Sequence, residues 1–351
     1  MSTDRPPIPV SVITGFLGSG KTTLLGRLLH KPAMSDTAVI INEFGEIGLD
    51  HQLIEAAEGD IVMMSSGCLC CTIRSSLVDT LRNLFEKSDQ GRIGRFRRVL
   101  IETTGLADPA PILQTLMQEP YIKLRYGLDS VVATVDALHG EGQLAEHVES
   151  VKQAAVADRI LLTKTDLAPA EQAERIRRRL KSLNPAAPVV IAVQGDVEPA
   201  VLFDAGLYDP AARSSDVTRW LNAESYLHDH DRSFRHAHDF NRHDARIQAH
   251  CLVFDEPLNW RYFSPNLASL VSRHAEKLLR VKGLLNIAGE PQPVVVHGVQ
   301  QEFHRLRLAA WPDADRRSKL VLITRDLERD FLRDWLQDRM LSGAPARSAA
   351  R

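Results

Sequence analysis

The sequence has almost no net charge: acidic and basic residues leave a formal −2 over 351 positions. It also has no long basic stripe interleaved with aromatic residues, which argues against an electrostatic nucleic-acid binder. No apolar run is long enough to span a bilayer, so no membrane partner is expected. The opening MSTDRPPIPV carries an acid and three prolines but no apolar stretch of the kind a secretory signal requires. Cysteine is scarce, and four in a chain of this length are no disulfide framework. Three of them, Cys68, Cys70 and Cys71, nonetheless crowd into one stretch. In a reducing, cytoplasmic setting, which is the expected location, such a cluster suits metal better than disulfides. Cys251, inside the apolar run AHCLVF, reads as an ordinary buried strand residue. No internal repeat is visible.

What is present is an alternation of short apolar runs with helical patterns over the first two thirds, the mark of a parallel sheet with helices on both faces. Strands are predicted at Val10–Thr14, Ala38–Asn42, Asp60–Ser65, Arg98–Glu102, Ser130–Val135, Arg159–Thr163 and Val189–Ala192. Helices are predicted at Thr22–Leu29, Ile73–Glu86, Glu141–Ala155 and Ala170–Leu183, with a short one after Asp108 as N-cap and Pro109 as first helical residue. A polar, histidine-rich segment, 209–246, reads as a linker between a first domain, 1–208, and a smaller α+β domain, 247–341. In the second domain strands are expected at His250–Phe254, Leu278–Ile287, Val294–Val299 and Leu320–Thr324. Helices are expected near Asn266–His274 and Leu327–Met340, the last burying a face formed by Leu327, Phe331 and Trp335 with Leu332 and Leu336 beside them. The tail, 342–351, reads as disordered. Trp220, Trp260, Trp311 and Trp335 read as packing residues.

The strongest signal is GFLGSGKT, Gly15 to Thr22, between the apolar strand VSVIT and an amphipathic helix. This is a P-loop in its required context. Gly15, Gly18 and Gly20 permit the turn that leaves backbone N–H groups around phosphates, with Ser19 and Thr23 in the same stretch. The Lys21 ammonium neutralises β- and γ-phosphate charge, and the Thr22 hydroxyl can ligate Mg²⁺. A second stretch, IETTG, ends a strand with the carboxylate Glu102 and places Gly105 three residues on, as suits a segment that senses the γ-phosphate and Mg²⁺. Lys21, Thr22 and Glu102 are therefore the catalytic candidates. A third stretch, LLTKTD, sets Thr163, Lys164 and Asp166 after a late strand. The Asp166 carboxylate can accept from guanine N1–H and N2–H₂, a donor pair that adenine lacks, and the Lys164 stem would pack on the base. Thr163 stands where Asn is usual, which predicts a weaker tie to the phosphate loop.

Thiolates are soft ligands for Zn²⁺, Co²⁺ or Cu⁺. Three cysteines within four positions of SSGCLCCTIR converge only from an irregular loop, and no downstream pair completes a zinc ribbon. A redox-active thiol pair or an inert cluster are the rival readings. By topology the phosphate loop, INEFGEIG, the cysteine loop and ETTG all follow strands at one sheet edge, so Glu43 and Glu46 are expected to reach either the thiolates or the Mg²⁺.

Taken together, GFLGSGKTT, INEFGEIG, GCLCC, IETTGLADP and LLTKTD resemble the CobW-like family of metallochaperone GTPases, in particular its YjiA-type branch. These are relatives of the nickel-insertion GTPases of hydrogenase and urease maturation. The likeness is looser in LLRVKGLLNIAGEP and VVHGVQ. It implies Mg²⁺-dependent GTP hydrolysis coupled to zinc or cobalt binding, with metal duty on Cys68, Cys70 and Cys71 and phosphate duty on Gly18 to Thr23. Implied partners are GTP or GDP, the transition metal and a client metalloprotein, and a homodimer is also considered. Some members carry Glu where this chain has Ile41, so any metal contact made there is lost. A metal buffer with vestigial GTPase, and a P-loop ATPase or kinase with a structural metal, are the alternatives.

Six of the 13 histidines fall between His228 and His250. His228, His230, His236 and His238, alternating with Asp, are candidates for weak metal capture, against the alternative of a polar linker that happens to be His-rich. His30, His139 and His274 read as surface or capping residues. His297 and His304 are candidates for a domain interface.

Overall fold

The computed structural model describes residues 6–43, 61–65, 71–203, 247–300 and 302–341. The first domain begins with β1 (Ile8–Gly15) and α1 (Lys21–Leu29), then β2 (Thr37–Glu43), β3 (Ile61–Ser65), α2 (Cys71–Asp89), β4 (Arg98–Thr103) and α3 (Ala110–Gln118). It continues with α4 (Pro120–Arg125), β5 (Tyr126–Asp136), α5 (Gly140–Glu146), α6 (Val148–Val156), β6 (Arg159–Thr163), α7 (Ala170–Leu183), β7 (Val189–Ala192) and α8 (Pro199–Leu202). The seven strands form one parallel sheet in the order β3-β2-β4-β1-β5-β6-β7. Central strands with helices on both faces bury almost every residue, which explains why β1, β4, β5 and β6 read as near-continuous apolar runs. Helices bury only a stripe: on α7 it is Ile176, Leu180 and Leu183, at helical spacing. The chain leaves β1 for one side of the sheet and returns to its other side through β5. The carboxyl end of β1 is thus a switch point, where ligands bind in such sheets.

The second domain contains β8 (Ile247–Phe254), α9 (Trp260–Arg273), β9 (Leu278–Leu285), β10 (Val294–Val299), β11 (Glu302–Arg307), β12 (Ser318–Arg325) and α10 (Arg329–Leu341). Its antiparallel sheet runs β11-β10-β9-β12-β8. One face packs on α9 and α10 around Phe263, Leu270, Val281, Leu322, Leu332 and Leu336. From this sheet, Ile247, Leu279, Val299 and Ile323 belong to the same apolar cluster as the first domain's core. Both faces of β9 are therefore covered, and all eight of its residues are buried.

Three expectations are corrected and one strand is added. Glu141–Ala155 is two helices, because His147 takes an extended backbone (φ −122°, ψ 112°) and stacks its ring on Phe16 of the phosphate loop, centroids 4.5 Å apart. Helix α9 starts at Trp260 rather than Asn266. The Asn259 side chain caps it by accepting from Arg261 N–H, and the helix runs through Pro265. On α10 Leu332 and Leu336 are buried as expected, but Phe331, expected on the same face, is 37% exposed and makes an edge contact with His274. Strand β11 was not anticipated: its sequence EFHRLR carries the charge typical of a sheet edge, and Arg305 and Arg307 pair with Glu290.

Candidate nucleotide site

The turn from β1 into α1 is packed most tightly at its first glycine. A Cβ on Gly15 would lie 2.2 Å from Thr134 Oγ1, so only glycine fits there. The Ser19 and Thr134 hydroxyls are 2.6 Å apart, and Thr134 also donates to Thr14 O. The loop is thereby fixed to the end of β5. Lys21 is buried, with Nζ donating to Gly15 O at 3.0 Å and Phe16 O at 3.2 Å, so the ammonium curls back over its own loop. The Thr22 hydroxyl donates to Glu102 Oε1 at 2.9 Å, across 80 residues of sequence. These groups open on a cavity of about 290 Å³ whose lining includes Gly18, Gly20, Lys21, Thr22, Thr23, Glu102, Gly105, Lys164 and Ile41. Ile41 pairs with Glu102 across the β2–β4 ladder and gives this wall an apolar patch. Thr22 and Glu102 supply hard oxygen donors side by side, a set that fits Mg²⁺.

In the loop after β6, Thr163 does tie to the phosphate loop, its hydroxyl donating to Ser19 O at 2.8 Å. Lys164 sits in the left-handed region at φ 56°, and its Nζ meets Asp136 Oδ2 at 2.8 Å. Asp136 was not among the sequence candidates, although it ends β5 as Glu102 nearly ends β4. Its Oδ1 also accepts from Leu138 N–H, and His139 Nδ1 is 3.1 Å from Oδ2. Burial acts to raise the Asp136 pKa, but hydrogen bonds from Lys164, His139 and Leu138 outweigh it and hold the group below its ordinary value. Asp166 is exposed two residues beyond Lys164.

The loop after β4 presses on the phosphate loop: a Cβ on Gly105 would lie 2.7 Å from Leu17 N. Its outer side is held by α6. Gln153 Nε2 donates to Gly105 O and Ala107 O at 3.2 and 3.0 Å, and Lys152 pairs with Asp108 at 2.7 Å. Asp108 Oδ1 in turn accepts from the N–H of Ala110, the first residue of α3, although Pro109 rather than Asp108 occupies the N-cap position.

The model for the CobW/HypB/UreG nucleotide-binding domain matches residues 9–191, and that for the cobalamin synthesis protein cobW C-terminal domain matches residues 247–340. The chain belongs to the CobW/HypB/UreG family. It is 36% identical over 327 residues to the zinc chaperone YjiA of Escherichia coli, covering 93% of this chain and 97% of that protein. It is 31% identical over 364 residues to the zinc chaperone CobW of Pseudomonas aeruginosa, covering 94% and 91%. The crystal structure of the Zn(II)-bound YjiA GTPase from E. coli superposes with a TM-score of 0.70 at 31% identity, covering 95% of this chain and 99% of that one.

Of the metal candidates in this CobW/HypB/UreG chain, Cys68, Cys70, Glu46, His228, His230, His236 and His238 lie outside the described residues. The backbone places two others. Cys71 opens α2, and Glu43 ends β2 opposite Ser65, the last residue of β3. Among the described residues no group of three or more His, Cys, Asp or Glu side chains converges as a metal site, and no helix is long and apolar enough to cross a membrane. Cys251 is buried as expected, and burial pushes its thiol up to about 11.

Proposed function

We propose that this chain is a GTPase that binds Zn²⁺ through its cysteine loop and hands it to a client metalloprotein. The observation that carries the reading is the cavity where three stretches meet: the phosphate loop with Lys21, the Thr22–Glu102 pair, and the TKTD loop bound to Ser19 O through Thr163. Guanine would sit at the exposed Asp166 carboxylate, which accepts from N1–H and N2–H₂, with the Lys164 stem against the base. The triphosphate would lie along the phosphate loop, where Lys21 exchanges its two carbonyl acceptors for β- and γ-phosphate oxygens. Thr22 and Glu102 would hold Mg²⁺, which when bound neutralises charge between the β- and γ-phosphates. Gly105 stands where a backbone N–H can report on the γ-phosphate. Turnover without a partner is expected to be slow, on the order of 10⁻⁴ to 10⁻² per second.

Zinc as cargo is supported by the relatives named zinc chaperones and by the soft thiolates of Cys68, Cys70 and Cys71. The ligand set we assign is these three with Glu43 or Glu46. The test is one preparation assayed twice, for GTP against ATP turnover and for tightly bound Zn²⁺. One tight Zn²⁺, lost when the three cysteines become serine, together with a GTP preference, supports the reading. ATP preference would favour a P-loop ATPase or kinase, and tight zinc in the triple-serine variant would move the site elsewhere.

A further inference from the structure

Helix α6 touches both the site and the second domain. Gln153 is 1% exposed, in a position where a methionine would fill the same space without burying an amide. Its Nε2 carries two protons, and each has a carbonyl of the loop after β4 within reach: Gly105 O and Ala107 O, on either side of the exposed Leu106. Its Oε1 finds no partner among the described residues, so the side chain's polarity is spent on that loop. Next to it, Lys152 holds Asp108, whose carboxylate also accepts from the first N–H of α3. The C-terminal end of α6, which starts one residue after Gln153, is anchored twice. Asn184 Nδ2 reaches the carbonyls of Ala154, Ala155 and Ala157. Asp158, just past the helix, accepts from Lys282 Nζ at 2.6 Å and Arg280 Nη2 at 3.0 Å, both on β9, and from Val131 N–H. The helix body packs on β9, β5 and β1, and α3 packs on β10 and β11 with a Gln114–Gln300 hydrogen bond.

We propose that Gln153 is a positioning residue for GTP hydrolysis, setting the loop at Gly105 against the phosphate loop, and that α6 carries the state of this loop to the C-terminal sheet. Packed helices shift as units between discrete arrangements, so a loop that tightens on a γ-phosphate pulls α6 against β9. The second domain thereby senses which nucleotide is bound. This rests on the GTPase reading above, which turnover by the wild-type chain in the same assay tests separately.

The experiment uses the full chain and the variants Gln153→Met, which keeps volume but loses both donors, and Gln153→Asn, which keeps the donors on a shorter stem. Steady-state GTP turnover, GDP affinity and hydrogen exchange with GDP or a non-hydrolysable GTP analogue are measured on each. Gln153→Met should lower kcat about tenfold or more, since sub-ångström misplacement is costly at a reacting centre, while GDP affinity stays within about twofold; Gln153→Asn should recover part of the loss. In the wild type, amides of residues 278–299 should exchange differently in the two nucleotide states, and Gln153→Met should erase that difference. Wild-type kcat in Gln153→Met, or GDP affinity falling in step with kcat, overturns the positioning role. Identical exchange of residues 278–299 in the two states overturns the reach to the second domain. A wild type that turns over no GTP defeats the GTPase reading instead.

Discussion

Two buried clusters of charge in this molecule are put to opposite uses. At the cavity, Lys21 is folded over backbone carbonyls and lines open space beside Thr22 and Glu102. At the domain interface, Asp158 faces Arg280 and Lys282 with all three side chains at most 7% exposed. Burial opposes the Asp158 charge, yet the two cations hold its pKa well below the usual carboxylate range; burial pushes the Lys282 pKa down to about 8 despite the carboxylate beside it. A cation whose backbone-carbonyl acceptors border a cavity can exchange them for phosphate oxygens, whereas one locked on a carboxylate in a closed core specifies how two domains fit. Similar side chains thus do binding in one place and assembly in the other, and the difference lies in what surrounds them.

The sharpest way to break this contrast is at its two ends. Lys21→Ala should cost at least about a hundredfold in GTP turnover, because the phosphate charge loses its nearest fixed cation, with little change in melting temperature. Turnover near the wild-type rate would remove the phosphate role. Asp158→Asn should do the reverse and act on stability, by roughly 3–5 kcal/mol, since two cations stay buried without their carboxylate. The pH dependence follows in sign. A carboxylate whose folded pKa is depressed below its ordinary 3.8 stabilises the fold fully above 3.8, and the stabilisation is lost progressively as pH falls from there through the lower folded pKa. Denaturant unfolding at pH 5 and pH 3 should therefore show a steeper acid loss in the wild type than in Asp158→Asn; equal losses would mean the cluster is not what holds the domains.

The sequence was most legible where backbone demands and chemistry coincide. GFLGSGKT is readable because a tight turn selects glycine and phosphate chemistry selects Lys and Thr at a fixed spacing; in the fold Gly15 packs on Thr134 and the Thr22 hydroxyl meets Glu102. The parallel sheet was readable because double-sided burial writes continuous apolar strands; β6 and β7 match their expected bounds. Groups that act across sequence distance were hidden. Asp136, Thr134 and Gln153 look like ordinary strand and helix residues until folding sets them on Lys164, Ser19 and Gly105. The signal for Asp136 was an acid at a strand's carboxyl end, the pattern already used for Glu102. Periodicity located α10 but misjudged Phe331, because spacing gives a face and not the partner that covers it.

Smaller effects sharpen the contrast at the base-recognition loop. Asp166→Asn should relax the preference for guanine and improve use of xanthine nucleotide, whose extra carbonyl accepts from the new amide; an unchanged GTP:ATP preference would remove the guanine role. Thr163→Val should cost about 1 kcal/mol through the lost bond to Ser19 O, seen as a several-fold weaker GDP affinity. No change would mean that the tie is incidental.

The central claim is that nucleotide and zinc are coupled through one chain. Glu43 ends β2 opposite Ser65, which ends β3 three residues before Cys68, and Ile41 on the same strand as Glu43 lines the nucleotide cavity. A γ-phosphate that orders the turn after β2 would therefore reach the cysteine loop, and by reciprocity zinc must tighten GTP by the factor with which GTP tightens zinc. The direct measurement is Zn²⁺ affinity of the full chain without nucleotide, with GDP and with a GTP analogue. The account predicts about 5- to 150-fold tighter Zn²⁺ binding with the GTP analogue; equal affinities in the three states would contradict it.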